Sequence, residues 1–167
     1  MDTCAECGFV YDLTRATDVA ALAREQVVDY ADLLLVSDAA NLRRRPEPEV
    51  WSPLEYACHM RDVLFVQRER VLAARRLPTP EATPMGRDER VEHDGYADQR
   101  PTDVGRQIRD AAELFANVLD RLTPEDWNRT LIYSFPAREE RSISWLAVHT
   151  LHELRHHLLD MRRQLVS

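Results

Sequence analysis

Five of the chain's six histidines fall in two places: His59, and the run His149, His152, His156 and His157. On a helix, residues three or four apart share a face, so His152 and His156 can present two imidazoles to one point, with His149 one turn earlier on the same stripe. His59 shares its stripe with Tyr56, Val63 and Val66, the spacing of an inward helical face, so a third imidazole could meet the pair across a bundle. Three protein ligands on a divalent ion leave open positions where water or a substrate atom can bind and be activated. Imidazole suits zinc first, with nickel or iron as alternatives. One inward histidine is more often a hydrogen-bonded core residue than a ligand, but three on converging faces shift that balance. His152 to His156 also spells His-Glu-x-x-His, without the downstream ligands of a zinc protease.

A second constellation lies at the N-terminus, where Cys4-Ala5-Glu6-Cys7-Gly8 has the form of one zinc-ribbon knuckle. A closed site needs four ligands, and no second Cys-x-x-Cys exists. Either histidines elsewhere or a second copy of the chain complete a metal site, or the pair forms a redox disulfide, or it does neither. Cys58 adjoins His59, yet helical neighbours point about 100° apart, so it reads as a small buried residue and not a nucleophile. Arg155, Asp160 and Tyr96 are candidates for orienting the ligands or touching a substrate, with surface or interhelical pairing as their ordinary alternative.

The elements that must hold these groups are helices. Val19, Leu22, Val27, Tyr30, Leu33 and Leu34 recur at helical steps, predicting a first helix from about Asp18 to Ser37. Pro46 and Pro48 turn the chain, and Ser52-Pro53-Leu54-Glu55 then forms a capping box with proline at the first helical position. That second helix, carrying His59, runs to about Arg76. Leu77 to Pro101 contains four prolines and no period, a long crossover that is either functional or mobile. Thr102 to Leu122 is a third helix, Leu131 to Pro136 has a strand-like alternation too short to build a sheet, and a fourth helix starts at Ser142 or Ser144 and reaches Leu165. The expected fold is therefore all-α: a four-helix bundle at residues 15–167, with a short Cys-x-x-Cys appendage at residues 1–14.

Composition narrows the partners. With a net charge of -7, the chain would meet overall repulsion from a nucleic-acid backbone. No apolar run approaches the roughly 20 residues that span a bilayer, and the first residues lack a signal-peptide pattern. An odd cysteine count, too small for a disulfide framework, fits a reducing compartment, so a cytoplasmic location is expected. All 22 basic residues are arginine, to which we attach no function. Bundles of this kind commonly pair, which makes a homodimer the expected assembly.

Trp51-Ser52-Pro53-Leu54-Glu55 followed by His59, and a late helix with His152 and His156, resembles the DinB-like, or DinB/YfiT, superfamily. The resemblance covers nearly the whole chain from the first helix onward. It implies a four-helix bundle with one early metal ligand, His59, and two late ones, His152 and His156. It also implies kinship with mycothiol-dependent enzymes, which use such a metal to activate a low-molecular-weight thiol. Those relatives often carry Glu at the position of His152, so this chain departs from them at one ligand. The expected function is a metal-dependent thiol S-transferase or hydrolase, of the mycothiol or bacillithiol type, acting on a small electrophile. The alternative is a non-catalytic, metal-stabilised bundle with a stress-related or interaction role.

Overall fold

A computed structural model describes residues 3–135 and 137–165. Met1, Asp2, Pro136, Val166 and Ser167, which include the ends of both expected segments and of the strand-like stretch, lie outside the described residues. The elements in chain order are α1 (Val19–Val36), α2 (Ala39–Arg43), α3 (Pro53–Arg76), α4 (Arg87–His93), α5 (Pro101–Leu119), β1 (Thr130–Tyr133), β2 (Glu139–Ser142) and α6 (Ile143–Leu165). The four long helices make the bundle. Each of α1 and α3 packs against both α5 and α6, so the bundle's first two helices stand at diagonal corners. No helix among the described residues is long and apolar enough to cross a membrane.

The start of α3 follows the capping-box chemistry. Ser52 Oγ accepts from the Glu55 N–H at 3.3 Å, and Glu55 Oε2 accepts from the Ser52 N–H at 2.8 Å. Arg45 closes on the same buried carboxylate through Nε at 2.8 Å. This fixes the phase of α3 and turns His59, together with Leu54, Cys58 and Val63, into the bundle.

The crossover between α3 and α5 is ordered by one buried carboxylate. Asp62 accepts from Arg61 Nε at 2.7 Å, from the Tyr96 hydroxyl at 2.7 Å and from Arg90 Nη1 at 3.0 Å. Arg90 also donates to the Met85 carbonyl, 2.8 Å away. An anion out of water needs such partners, and three chain segments must converge to supply them. A short helix, α4, therefore forms where the sequence shows no period.

The stretch after α5 also pairs more than its alternation suggests. β1 and β2 form an antiparallel hairpin in the register Leu131↔Arg141 and Tyr133↔Glu139, and Glu81 of the crossover bridges Ile132 in parallel. Ser142 Oγ then accepts from the Trp145 N–H at 3.1 Å, starting α6. The N-terminal segment is seated on the bundle, with Phe9 packed into the same core as the helices.

Burial alone would push the Asp62 carboxyl upward, but Arg61, Tyr96 and Arg90 outweigh it and hold it below its ordinary value. Its stabilisation is thus present above the ordinary carboxylate range and is lost as pH falls through the lowered folded value. Asp62→Ala, which strands the buried Arg61, is expected to cost about 3–5 kcal/mol in denaturant unfolding near neutral pH. The deficit should shrink only below about pH 4; a deficit independent of pH would show that charge is not its cause.

Candidate functional site

α6 carries His149, His152, Glu153, His156, His157 and Asp160 within a few turns, and helical rotation sorts them. A step of one residue turns about 100°, so the pairs 152/156 and 153/157 face different neighbours. One face looks toward the N-terminal knuckle, where ligand atoms of Cys4, Cys7, His152 and His156 all lie within 4.8 Å of one another. The other looks toward α3, where ligand atoms of His59, Glu153 and His157 satisfy the same limit. The triad expected from the sequence, His59 with His152 and His156, is not one of these groups. His59 meets the next pair along the helix, because the turn of α6 relative to α3 selects the adjacent stripe.

Around His59 the geometry suits a cation. His59 is 5% exposed, and its Nδ1 has no hydrogen-bond partner among the described residues. Opposite, His157 Nε2 lies 3.7 Å from Glu153 Oε2, while His157 Nδ1 lies 3.1 Å from Asp160 Oδ2. A carboxylate on the far nitrogen is the usual way to aim an imidazole and raise its basicity toward a metal. Burial pushes His59 down to about 3, so its imidazole stays neutral. Burial would lower His157 too, but Asp160 and Glu153 raise it to about 9. A proton occupies this acidic corner near neutral pH, and a cation bound there would have to release it.

Glu153 is shared. Its Oε1 lies 3.1 Å from His152 Nδ1 and 4.0 Å from His149 Nε2. Burial pushes this carboxyl up, yet His152 and His157 hold it far below the carboxylate range. The Tyr11 hydroxyl lies 2.9 Å from Nδ1 of both His149 and His152. Because Glu153 only accepts, Nδ1 of His152 carries the proton, and Tyr11 donates its single proton to His149 Nδ1. That leaves Nε2 of His152, which is buried and has no hydrogen-bond partner among the described residues.

Beside the His59 group lies a cavity of about 370 Å³, to which His59, His149 and Glu153 contribute polar walls. Arg70, Met85 and Phe135 line it as well, so the crossover from Ala82 to Arg87 and the hairpin enclose the site. Among the other sequence candidates, Asp160 supports His157 as described. Tyr96 does not reach the site, since its hydroxyl is spent on Asp62, and Arg155 lies over the Phe9 ring at 5.5 Å. Burial pushes the Cys58 thiol up to about 12, which leaves it protonated and unreactive. At the knuckle, the Cys7 backbone N–H chiefly brings the Cys4 thiol down to about 6, whereas burial raises Cys7.

Glu153, His157 and Tyr11 are not among the site residues expected from the sequence. A signal for the first two was present: Glu153, His157 and Asp160 sit at the i, i+4 and i+7 spacing of one helical stripe. Polarity alone does not distinguish that stripe from a solvated face. Tyr11, 141 residues from His152 in sequence, offered no comparable signal.

One early and two late candidate ligands beside a cavity mark a four-helix bundle built around an interior polar site. The DinB superfamily model matches residues 21–161, and the chain belongs to that superfamily. No curated protein matches the sequence. Among solved structures, the chain is similar to YfiT from Bacillus subtilis, described as a probable metal-dependent hydrolase with an unusual four-helix bundle topology. The TM-score is 0.78 at 14% identity, covering 90% of this chain and 87% of that one. It is also similar to the mycothiol-dependent maleylpyruvate isomerase, with a TM-score of 0.70 at 15% identity over 87% of this chain and 60% of that one. These likenesses establish the expected bundle.

Burial also lowers His149, to about 4. In the metal-free protein its ring resonances should therefore stay fixed between about pH 5 and 8. A titration midpoint near the ordinary 6.5, followed by two-dimensional NMR, would contradict the arrangement of Tyr11 and Trp145 around it.

Proposed function

We propose that the chain is a metal-dependent enzyme that activates a low-molecular-weight thiol, or water, for attack on a small electrophile, with His59, Glu153 and His157 holding the metal. The observation that carries this reading is the convergence of those three side chains beside a cavity that His59 and Glu153 line. The unpartnered Nδ1 of His59 and the Asp160-anchored His157 fit a divalent ion. When bound there, such an ion supplies Lewis acidity and lowers the pKa of a thiol or water at an open position.

The chain's own residues do the rest. Glu153 brings negative charge to balance the ion, and its second oxygen stays tied to His152. Arg70 is positioned by the Tyr133 hydroxyl at 3.2 Å and the Thr83 carbonyl at 2.7 Å, while its buried Nε has no partner among the described residues. That guanidinium favours an electrophile bearing an anionic group, and Val63, Pro84, Met85 and Phe135 favour an apolar body. Names of the similar structures, one a probable metal-dependent hydrolase and one mycothiol-dependent, support the same class of chemistry.

His59→Ala and His157→Ala should each remove about one equivalent of metal per chain, measured by elemental mass spectrometry. Asp160→Asn should retain the metal with affinity weakened about 10–100-fold. Consumption of an activated electrophile by mycothiol, bacillithiol or water should fall with the metal. Undiminished metal in both histidine variants would sink the assignment, and full metal without turnover of any thiol or water pair would favour a non-catalytic bundle.

A further inference from the structure

The knuckle and the outer face of α6 meet in a way that the proposed active site does not use. A short hairpin presents Cys4 and Cys7: the Cys4 N–H donates to the Phe9 carbonyl at 2.9 Å, and the Gly8 N–H donates to the Cys4 carbonyl at 2.9 Å. Gly8 has φ +70°, the left-handed conformation that a glycine adopts without strain and that lets the chain turn back after the second cysteine. Thr3 and Val10 close the hairpin as an antiparallel bridge. One helical turn separates His152 from His156, so both rings face this loop.

The spacing fits tetrahedral coordination. Zinc bonds of about 2.3 Å to sulfur and 2.0–2.1 Å to nitrogen give ligand-to-ligand edges of roughly 3.3–3.8 Å. Cys4 Sγ already lies 3.8 Å from His156 Nδ1, and all four ligand atoms fall within 4.8 Å of one another. Each imidazole has its other nitrogen engaged. His152 Nδ1 is held by Tyr11 and Glu153, leaving the unpartnered, buried Nε2. His156 Nε2 lies 3.4 Å from Glu6 and 3.7 Å from Asp160, leaving Nδ1 toward the sulfur. Oriented rings with carboxylate partners are what ligating histidines require.

We infer that Cys4, Cys7, His152 and His156 form a second, closed zinc site that fastens the N-terminal segment to α6. Two thiolates and two neutral imidazoles neutralise the ion and fill its coordination, so the site is structural and offers no open position. It is independent of the His59 site in its ligands but joined to it through two carboxylates. Glu153 contacts His152 as well as His157, and Asp160 contacts both His156 and His157. Filling the closed site therefore steadies the groups that aim the open one.

Two measurements on the full chain test this. Metal per chain by elemental mass spectrometry should be about two equivalents for the unsubstituted protein grown with zinc, falling to about one in Cys4→Ser/Cys7→Ser and likewise in His59→Ala/His157→Ala. The unsubstituted protein loaded with cobalt(II) should show thiolate-to-cobalt charge-transfer absorption in the near ultraviolet, which imidazole and carboxylate ligands cannot supply; it should persist in His59→Ala/His157→Ala and vanish in the cysteine variant. The spectrum is read on the native chain, so a poorly folding cysteine variant does not remove the test. Loss of metal with the cysteines alone would uphold this site while overturning the His59 one. Absence of the thiolate band, or a Cys4–Cys7 disulfide in the metal-loaded protein as isolated, would overturn it.

Discussion

The carboxylate of Glu153 is the group around which this molecule is arranged. A negative charge on the inner side of a bundle helix is costly unless positive or donating groups surround it. Here three imidazoles of its own helix do so: His152 beside it, and His149 and His157 one turn away on either side. Tyr11 reaches in from the N-terminal segment to settle which ring nitrogens carry protons. The fold brings α3 with His59 to one side of this carboxylate and the cysteine knuckle to the other. Each neighbour offers ligand atoms where a cation could share the charge.

That arrangement explains why consecutive residues of α6 serve different faces. His152 and Glu153 adjoin in sequence and so do His156 and His157, yet members of each pair point about 100° apart. A single helix can thus present one pair of ligands to a closed, sulfur-containing corner and the next pair to a corner beside a cavity. The first geometry suits a structural ion and the second an ion with room for an incoming ligand. Asp160, one turn beyond, lies close to both His156 and His157, so the two corners are not independent mechanically.

The walls of the cavity come from parts of the chain with little regular pattern. Asp62 collects Arg61, Arg90 and Tyr96, and thereby draws the crossover over the bundle. Backbone pairing of Ala82 with Ile132, at 2.9 Å, joins that crossover to the hairpin. Tyr133 and Arg70 then meet across the opening. The family resemblance fixes a bundle, whereas the shape and charge of what can enter depend on these contacts, which belong to this chain.

The helices, their order, the capping box at Ser52 and the long crossover were legible in the sequence, because apolar periodicity and capping chemistry act over a few residues. So were the two helices that carry the candidate ligands and the knuckle spacing of Cys4 and Cys7. What pattern could not decide was the rotation of α6 against α3, since two adjacent stripes of that helix both carry potential ligands and a shift of one residue exchanges them. Nor could it bring Tyr11 and the knuckle, more than 130 residues distant, onto the face of His152 and His156. Tertiary packing decided both, because contact across such separations depends on how whole helices stack and not on the local preferences that a sequence displays.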